Sequence, residues 1–343
     1  MDMQKPKSIL VTGGAGYIGS HVVKALRSLA QYKVFVLDNL STGHRDAVMN
    51  TSLIQGDIRD KALVSEVLKK ERIESVMHLA AKTSVPESIS QPYEYYDNNA
   101  MGTLVLLEAC AEQKVHEFIF SSTAAVYGHP KQPKIDENAA TEPTNPYGYS
   151  KLVSEHMIQD FATAHQLQYV ILRYFNVAGA DPDGDIGQRS EKAEHLIKVA
   201  LDTVNGKRAS LPIYGNQYAT PDGTCIRDFI HVSDIANAHI AALQYLENHK
   251  PSTIFNCGYS QGYSVKQVIT TLEDLLGYQI NVEVMPPRPG DIPEVIANNQ
   301  KIREALSWHP QFNDIAFMIK TAYEWEQKNT TTNTHHSQIM KQR

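Results

Sequence analysis

The stretch Ile9-Leu10-Val11-Thr12-Gly13-Gly14-Ala15-Gly16-Tyr17-Ile18-Gly19 decides the fold. A short apolar run enters it, and an amphipathic stretch from Tyr17 to Leu29 leaves it. Its glycines satisfy two registers. Gly14, Gly16 and Gly19 fit G-x-G-x-x-G, while Gly13, Gly16 and Gly19 fit G-x-x-G-x-x-G. In either register the backbone turns sharply and approaches a pyrophosphate, whose charge rests on the amides of a helix N-terminus. A glycine turn alone is a weak signal; a strand before it and a helix after it give it weight. Asp38 adds more. It ends the next apolar run, Val34–Leu37, about 20 residues past the last glycine, where a carboxylate binds an adenosine ribose. That carboxylate repels a 2′-phosphate, so the pattern predicts NAD rather than NADP.

Outward from this loop, short apolar runs at Leu53–Gln55, Ser75–Ala80, Phe118–Ser121 and Tyr169–Arg173 alternate with helical stretches at Lys61–Glu71, Ala100–Gln113 and Tyr147–His165. The alternation predicts an α/β fold: a Rossmann-type doubly wound parallel sheet with right-handed crossovers, over residues 1–176. After Asn176 the loops lengthen and gain Gly, Pro and Asp, as in Ala178–Gly187 and Tyr214–Gly223. Such loops are usually functional. Residues 177–328 read as a smaller, mainly substrate-binding domain, with a strand and helix near Phe229–Tyr245 returning to the main sheet within 229–258. Residues 329–343, rich in Thr, Asn, His and Gln, read as a flexible tail.

Composition sets the class. The 343 residues suffice for a sizeable core, and 42% are hydrophobic against 20% charged, with a net charge of −6. No basic stripe offers itself to a phosphate backbone, so no nucleic-acid partner is expected. Cys110, Cys225 and Cys257 lie far apart and form no CxxC pair, so neither disulfides nor a metal site are expected. No apolar run approaches the roughly 18–20 residues of a membrane helix, and the first residues lack an apolar leader. A cytoplasmic protein without a membrane partner is the expectation.

The chemistry concentrates in Tyr147-Gly148-Tyr149-Ser150-Lys151. Four residues apart on a helix, Tyr147 and Lys151 share a face. A phenol with a pKa of about 10 is a poor base at neutral pH. A neighbouring ammonium and a nicotinamide cation are expected to lower it, so that Tyr147 exchanges a proton with a substrate hydroxyl while hydride moves. Ser121-Ser122-Thr123 closes the strand at the sheet's carboxyl edge, placing Thr123 to share that proton. Asp57, in Gly56-Asp57-Ile58, reads equally as an adenine contact or as a helix cap.

Together these residues resemble the extended short-chain dehydrogenase/reductase superfamily and, within it, the UDP-glucose 4-epimerase family. The likeness also covers Leu37–Leu40, Tyr95–Asn99, Phe118–Tyr127, Leu172–Ala180, Asp222–His231 and Arg288–Asp291, nearly everything but the tail. The resemblance implies a retained NAD and an isomerase that oxidises and re-reduces C4 of a UDP-hexose, interconverting UDP-glucose and UDP-galactose. It implies Tyr147 as acid/base, Lys151 as its partner and Thr123 as proton relay. For the cofactor it implies Gly13, Gly16, Tyr17, Ile18, Asp38, Asn39, Asp57, Ile58, Leu79, Ala80, Asn98, Ser121, Tyr147, Lys151 and Phe175. For the substrate it implies Thr123, Tyr147, Asn176, His195, Leu196, Tyr214, Arg227, Arg288, Asp291 and Val295. It also implies a homodimer pairing the helices within Ala100–Gln113 and Tyr147–His165.

Three departures stand out. Lys82 falls one position before the family's usual lysine, and His195-Leu196 stands where the family often has Asn-Leu. Val295 replaces a bulky tyrosine that lines the hexose pocket of restricted enzymes, which makes room for an N-acetyl group and for UDP-GlcNAc/UDP-GalNAc. A 4,6-dehydratase would need an acid and a base after Thr123, where this chain has Ala124-Ala125. A 4-epimerase of pentose or uronate nucleotides, or a non-catalytic NAD-sensing regulator, are the other readings. The sensor would not need Tyr147, Lys151 and Thr123 together.

Overall fold

The computed structural model describes residues 5–189, 194–288 and 290–340. The first half runs β1 (Lys7–Thr12), α1 (Tyr17–Arg27), β2 (Tyr32–Asp38), β3 (Ser52–Gln55), α2 (Lys61–Lys70), β4 (Ser75–His78), α3 (Val85–Ser90), α4 (Pro92–Tyr95), α5 (Gly102–Gln113), β5 (Glu117–Thr123), β6 (Lys134–Ile135), α6 (Pro146–His165) and β7 (Gln168–Tyr174). The second half runs β8 (Asn176–Ala178), α7 (Leu196–Val204), β9 (Leu211–Tyr214), β10 (Ile226–His231), α8 (Val232–Glu247), β11 (Thr253–Cys257), β12 (Gly262–Ser264), α9 (Val265–Leu276), β13 (Val282–Met285), β14 (Glu294–Ala297), α10 (Gln300–Ala305) and α11 (Ile315–Met340).

Seven parallel strands form the main sheet in the order β11-β7-β5-β4-β1-β2-β3. The order reverses direction between β1 and β4, which opens a crevice beyond the carboxyl ends of those strands. Strand alternation splits the core. Ile9, Val11 and Ile119 face the layer that holds α1 and α8, while Leu10, Phe118 and Phe120 face α2, α5 and α6. The near-continuous apolar strands follow from burial on both faces.

The smaller half holds a sheet in the order β12-β10-β14-β6, with β8 beside β10, and a parallel pair of β13 and β9. Here the structure corrects the expected return. The strand near Phe229 belongs to this second sheet, paired with β8 and β14. Its following helix, α8, does pack on the main sheet against α1, and the strand that rejoins that sheet is β11, beside β7. An apolar run shows that a strand is buried; it does not show which sheet buries it. The backbone of α11 continues as helix into the polar stretch read as a tail.

Candidate active site

The glycine loop folds in the G-x-x-G-x-x-G register. Gly13 has φ +70°, and a Cβ there would sit 2.5 Å from the Ala80 amide nitrogen. Gly19 closes against the Gly13 carbonyl, which a Cβ would meet at 2.1 Å, so α1 lies tight on the loop. Gly14 packs inward on Val36 and Val23, serving the sheet rather than the crevice. Gly16 differs: it is the extended N-cap of α1, and only the Gly13 carbonyl comes near its missing Cβ. The open side of Gly16 and the first-turn amides of Tyr17 and Ile18 form an anion seat that a pyrophosphate fits. The Tyr17 hydroxyl is committed elsewhere, donating to the Gly179 carbonyl at 2.6 Å.

Asp38 is buried where β2 ends. One carboxylate oxygen accepts from Ala15 N at 2.9 Å and the other from Leu40 N at 2.8 Å. It therefore shapes the loop, and its carboxylate keeps lone pairs for a ribose diol. Asp57 is not the helix cap; Asp60 caps α2 through Leu63 N. Asp57 instead grips the Arg59 backbone and guanidinium and accepts from Asn39, and those bonds hold its carboxyl well below the usual range. Ile58 is buried in the core, and Leu79 packs against the other core layer. The lysine displaced by one position, Lys82, turns its ammonium to Glu94 at 3.0 Å.

The reacting group sits at the start of α6. Asn145 caps the helix by accepting from Gly148 N at 2.9 Å, and Pro146 fills its first turn. Gly148 has a packing reason: a Cβ would lie 2.7 Å from the Ala125 carbonyl, so the helix start can press against the turn that follows β5. That contact brings the Tyr147 phenol beside Thr123. Lys151 lies buried one turn on, donating to the Ser121 carbonyl at 2.8 Å, its Nζ 4.7 Å from the Phe120 ring centroid.

One expectation reverses. Burial pushes the Tyr147 phenol up, opposed by the Thr123 hydrogen bond, and burial pushes the Lys151 ammonium down to about 7. The buried pocket penalises each charged form more than the neighbours stabilise it, and one of the lysine's three donors is taken by a carbonyl.

Several residues that sequence reasoning missed hold this edge in place. Tyr96–Met101 is a single π-helical turn ahead of α5. π-turns recur at functional sites. The turn aims the side chain of Asn99 at Ser150 on α6, at 3.0 Å, and Asn98 donates to Asn99. Ser121 Oγ lies 2.8 Å from His239 Nε2, and Ser122 donates to Glu155, which pairs with Arg173. His78 bridges Thr12 and Thr103. A lone His or Glu in a helix carries no sequence signal of its partner; Glu155 at least shares the stripe of Tyr147 and Lys151.

The predicted substrate residues gather on the smaller sheets. Asn176 pairs with Phe229, and Val295 pairs with Arg227. Val295 also packs on the cluster that contains Phe175 and Tyr127. Arg227 lies 3.9 Å from Asp291, and Tyr218, unread in the sequence, reaches the same carboxylate at 3.5 Å. The Arg288 guanidinium stacks 3.7 Å over the Tyr214 ring. His195 is the N-cap of α7 without a side-chain capping bond, and Leu196 begins that helix. His195 lines a pocket with Val177, Lys198 and Trp325. Cys110, Cys225 and Cys257 are free and buried. No helix among the described residues is long and apolar enough to cross a membrane.

Comparison with known proteins accords with this geometry. Residues 9–258 match the model of the NAD dependent epimerase/dehydratase family. A UDP-glucose 4-epimerase of Azospirillum brasilense is 48% identical over 319 residues, covering 93% of this chain and 91% of that protein. A UDP-glucose 4-epimerase from Brucella ovis, solved in complex with NAD, superposes with a TM-score of 0.90 at 42% identity, covering 93% of this chain and 98% of that one. The UDP-Glc/GlcNAc 4-epimerase of Campylobacter jejuni superposes with a TM-score of 0.84 at 43% identity, covering 94% and 99%.

Proposed function

The chain belongs to the NAD dependent epimerase/dehydratase family, and from that premise we propose that it interconverts UDP-glucose and UDP-galactose by NAD-dependent oxidation and re-reduction at C4. The observation that carries the reading is the convergence at one sheet edge: Tyr147 beside Thr123, Lys151 fixed on Ser121, and the open Gly16 seat two strands away, after β1.

Gly13, Gly16, Tyr17, Ile18, Asp38, Asn39, Asp57, Ile58, Leu79, Ala80, Asn98, Ser121 and Phe175 are proposed to hold NAD, with Lys151 on its ribose. When bound, NAD accepts the C4 hydrogen as hydride and returns it. Tyr147 takes the C4 hydroxyl proton and gives it back, Thr123 shares that proton, and the Lys151 ammonium stabilises the phenolate. Burial raises the phenol, so the charges that oppose burial set how fast it ionises. Arg227 and Arg288 are proposed to hold the diphosphate, Tyr214 to stack on uracil, and Asp291 and Asn176 to hold the ribose and sugar. His195 and Leu196 are proposed at the rim of the same site. On this reading residues 1–176 with 229–258 serve the cofactor, and the remainder of 177–328 serves the substrate.

Val295 supports acceptance of UDP-GlcNAc and UDP-GalNAc as well, and a relative named as a UDP-Glc/GlcNAc 4-epimerase lies close in structure. Purified protein incubated separately with UDP-galactose, UDP-GalNAc, UDP-xylose and UDP-glucuronate, without added NAD, tests both points by chromatography of the products. UDP-glucose and UDP-GlcNAc are expected from the first two. No conversion of any of the four rejects the enzyme reading, and conversion of UDP-galactose alone rejects the wider pocket.

A homodimer is supported by exposed apolar side chains gathered on one region: Val85 and Ile89 on α3, Tyr93 on α4, Tyr96 and Met101 on the π-turn, and Tyr149 and Val153 on α6. Light scattering should return twice the 38.3 kDa chain mass. A mass of one chain at micromolar concentration counts against the pairing.

A further inference from the structure

We propose that Glu155 is a positioning residue for proton transfer: it locks the end of β5 against α6 and so sets where Tyr147 and Lys151 meet that strand. The inference rests on the roles proposed above for those two residues.

The last three residues of β5 each take one member of a single stripe on α6. Tyr147, Lys151 and Glu155 recur every fourth residue, so they lie along one helical face, and all three are buried. Thr123 stands beside Tyr147, the Ser121 carbonyl takes Lys151 at 2.8 Å, and Ser122 Oγ donates to Glu155 Oε1 at 2.5 Å. Of these three clasps, only the last has no part in the proposed chemistry. It is also the most heavily braced. Arg173 Nη2 donates to Glu155 Oε2 at 2.5 Å, its Nε reaches both carboxylate oxygens, and its Nη1 donates to Tyr127 at 3.0 Å. Tyr127 in turn donates to Asn256 at 2.7 Å. A carboxylate with no accessible surface is held this rigidly only at the cost of desolvating two ions, which apolar side chains of similar size would avoid. What the ion pair provides that apolar packing does not is a fixed register between β5 and α6 and a negative charge one turn from Lys151.

That charge has a direction. The groups facing Lys151 are Tyr147 and Glu155 on its own helix, the Phe120 ring and Ser121 carbonyl on β5, and His78 on β4. Burial holds His78 down at about 3, so it is neutral and adds no charge at working pH. Tyr174 on β7 faces Tyr147 and is neutral too, its phenol raised by burial. Glu155 is the group that favours the ammonium. Around Glu155 itself stand Arg173 and Tyr169 on β7 and Tyr127 in the turn after β5. Removing the carboxylate charge lets the Lys151 ammonium lose its proton at lower pH.

The test compares the native protein with Glu155→Gln, Glu155→Gln/Arg173→Met, Ser122→Ala and Tyr147→Phe, measuring kcat and KM for UDP-galactose from pH 6 to 10. Rates are normalised to the folded fraction by circular dichroism. Glu155→Gln should lower kcat at least tenfold and move the alkaline limb of kcat down by about one pH unit, with KM within about twofold. The double variant leaves no unpaired guanidinium, so it carries the test if the single variant does not fold; its limb should move the same way by less. Ser122→Ala cuts the clasp and keeps the charge, so kcat should fall with the limb in place. A limb that stays put in the Glu155 variants, or a Ser122→Ala protein with native kcat, overturns the proposal. A merely structural role lowers the folded fraction and leaves the pH profile alone. If Tyr147→Phe retains native kcat, the proton-transfer reading itself fails; if that variant is inactive and the limbs do not move, only the positioning role of Glu155 falls.

Discussion

The two halves of the candidate site are built on opposite principles. Around Tyr147 the polar groups that brace the edge are buried and bonded to neighbours that are themselves bonded: Lys151 to the Ser121 carbonyl, Ser121 to His239, Ser122 to Glu155, and Asn99 to Ser150. The proposed UDP residues instead hold one another. Arg288 covers the Tyr214 ring and Arg227 leans toward Asp291, at the solvent-facing ends of short strands. The first arrangement cannot rearrange without breaking buried hydrogen bonds; the second must rearrange, because the faces its ligand needs are occupied. On the roles proposed above, the difference divides the work. The rigid edge would fix the geometry of proton transfer, which is felt in kcat, and the self-paired rim would govern affinity, which is felt in KM.

The strongest way to break this division is at the rigid edge. Tyr147→Phe keeps the ring, its packing at 6.4 Å on Tyr95, and the burial, and removes only the hydroxyl that Thr123 meets. The expected loss is about a thousandfold in kcat, the middle of the range for a general acid or base, with KM for UDP-galactose changed by no more than about threefold. Steady-state rates and product chromatography measure both. A variant that instead raised KM strongly at native kcat would mean that the phenol belongs to the binding half, and the contrast between the halves would dissolve.

How much of this was legible in the chain follows the same line. The glycine loop, Asp38 and the Tyr147/Lys151 pair announce themselves because their chemistry depends on neighbours in sequence: a turn, a strand end, one helical turn. The structure adds what depends on neighbours in space. The two glycine registers were separated by what each missing Cβ meets, since Gly14 packs on Val36 while Gly13, at φ +70°, presses on the Ala80 backbone. Asp57 reads as a candidate cap until the backbone shows that it accepts from Arg59 N two residues on, while Asp60 accepts from Leu63 N in the first turn of α2. His239 lies on a helix 118 residues from Ser121, and Glu155 finds Arg173 on another strand, so neither partnership has a local signature. The reversal at Tyr147 has the same origin: the helical spacing supplies the lysine, but the desolvation that outweighs it comes from everything packed around the pair.

The sharpest refinement of the contrast lies at Arg288, where the expected effect is small because two terms oppose. Arg288→Ala removes a forked donor proposed for the diphosphate, which should weaken binding, since charge-assisted bonds of this kind contribute roughly 1.5–3 kcal/mol. The same change uncovers the Tyr214 ring, now stacked by the guanidinium at 3.7 Å. Releasing that contact, worth about 0.5–1 kcal/mol at an exposed site, returns part of the loss, because UDP no longer has to displace it. The balance is about 1–2 kcal/mol, a rise in KM of roughly five- to thirtyfold at unchanged kcat. Tyr214→Leu in the same assay separates the terms: each single variant releases the one stack, which the double can release only once, so the double variant should lose more than the sum of the singles, by about 0.5–1 kcal/mol. Strict additivity would mean that Arg288 and Tyr214 never compete for one another, and that the rim is as preformed as the edge.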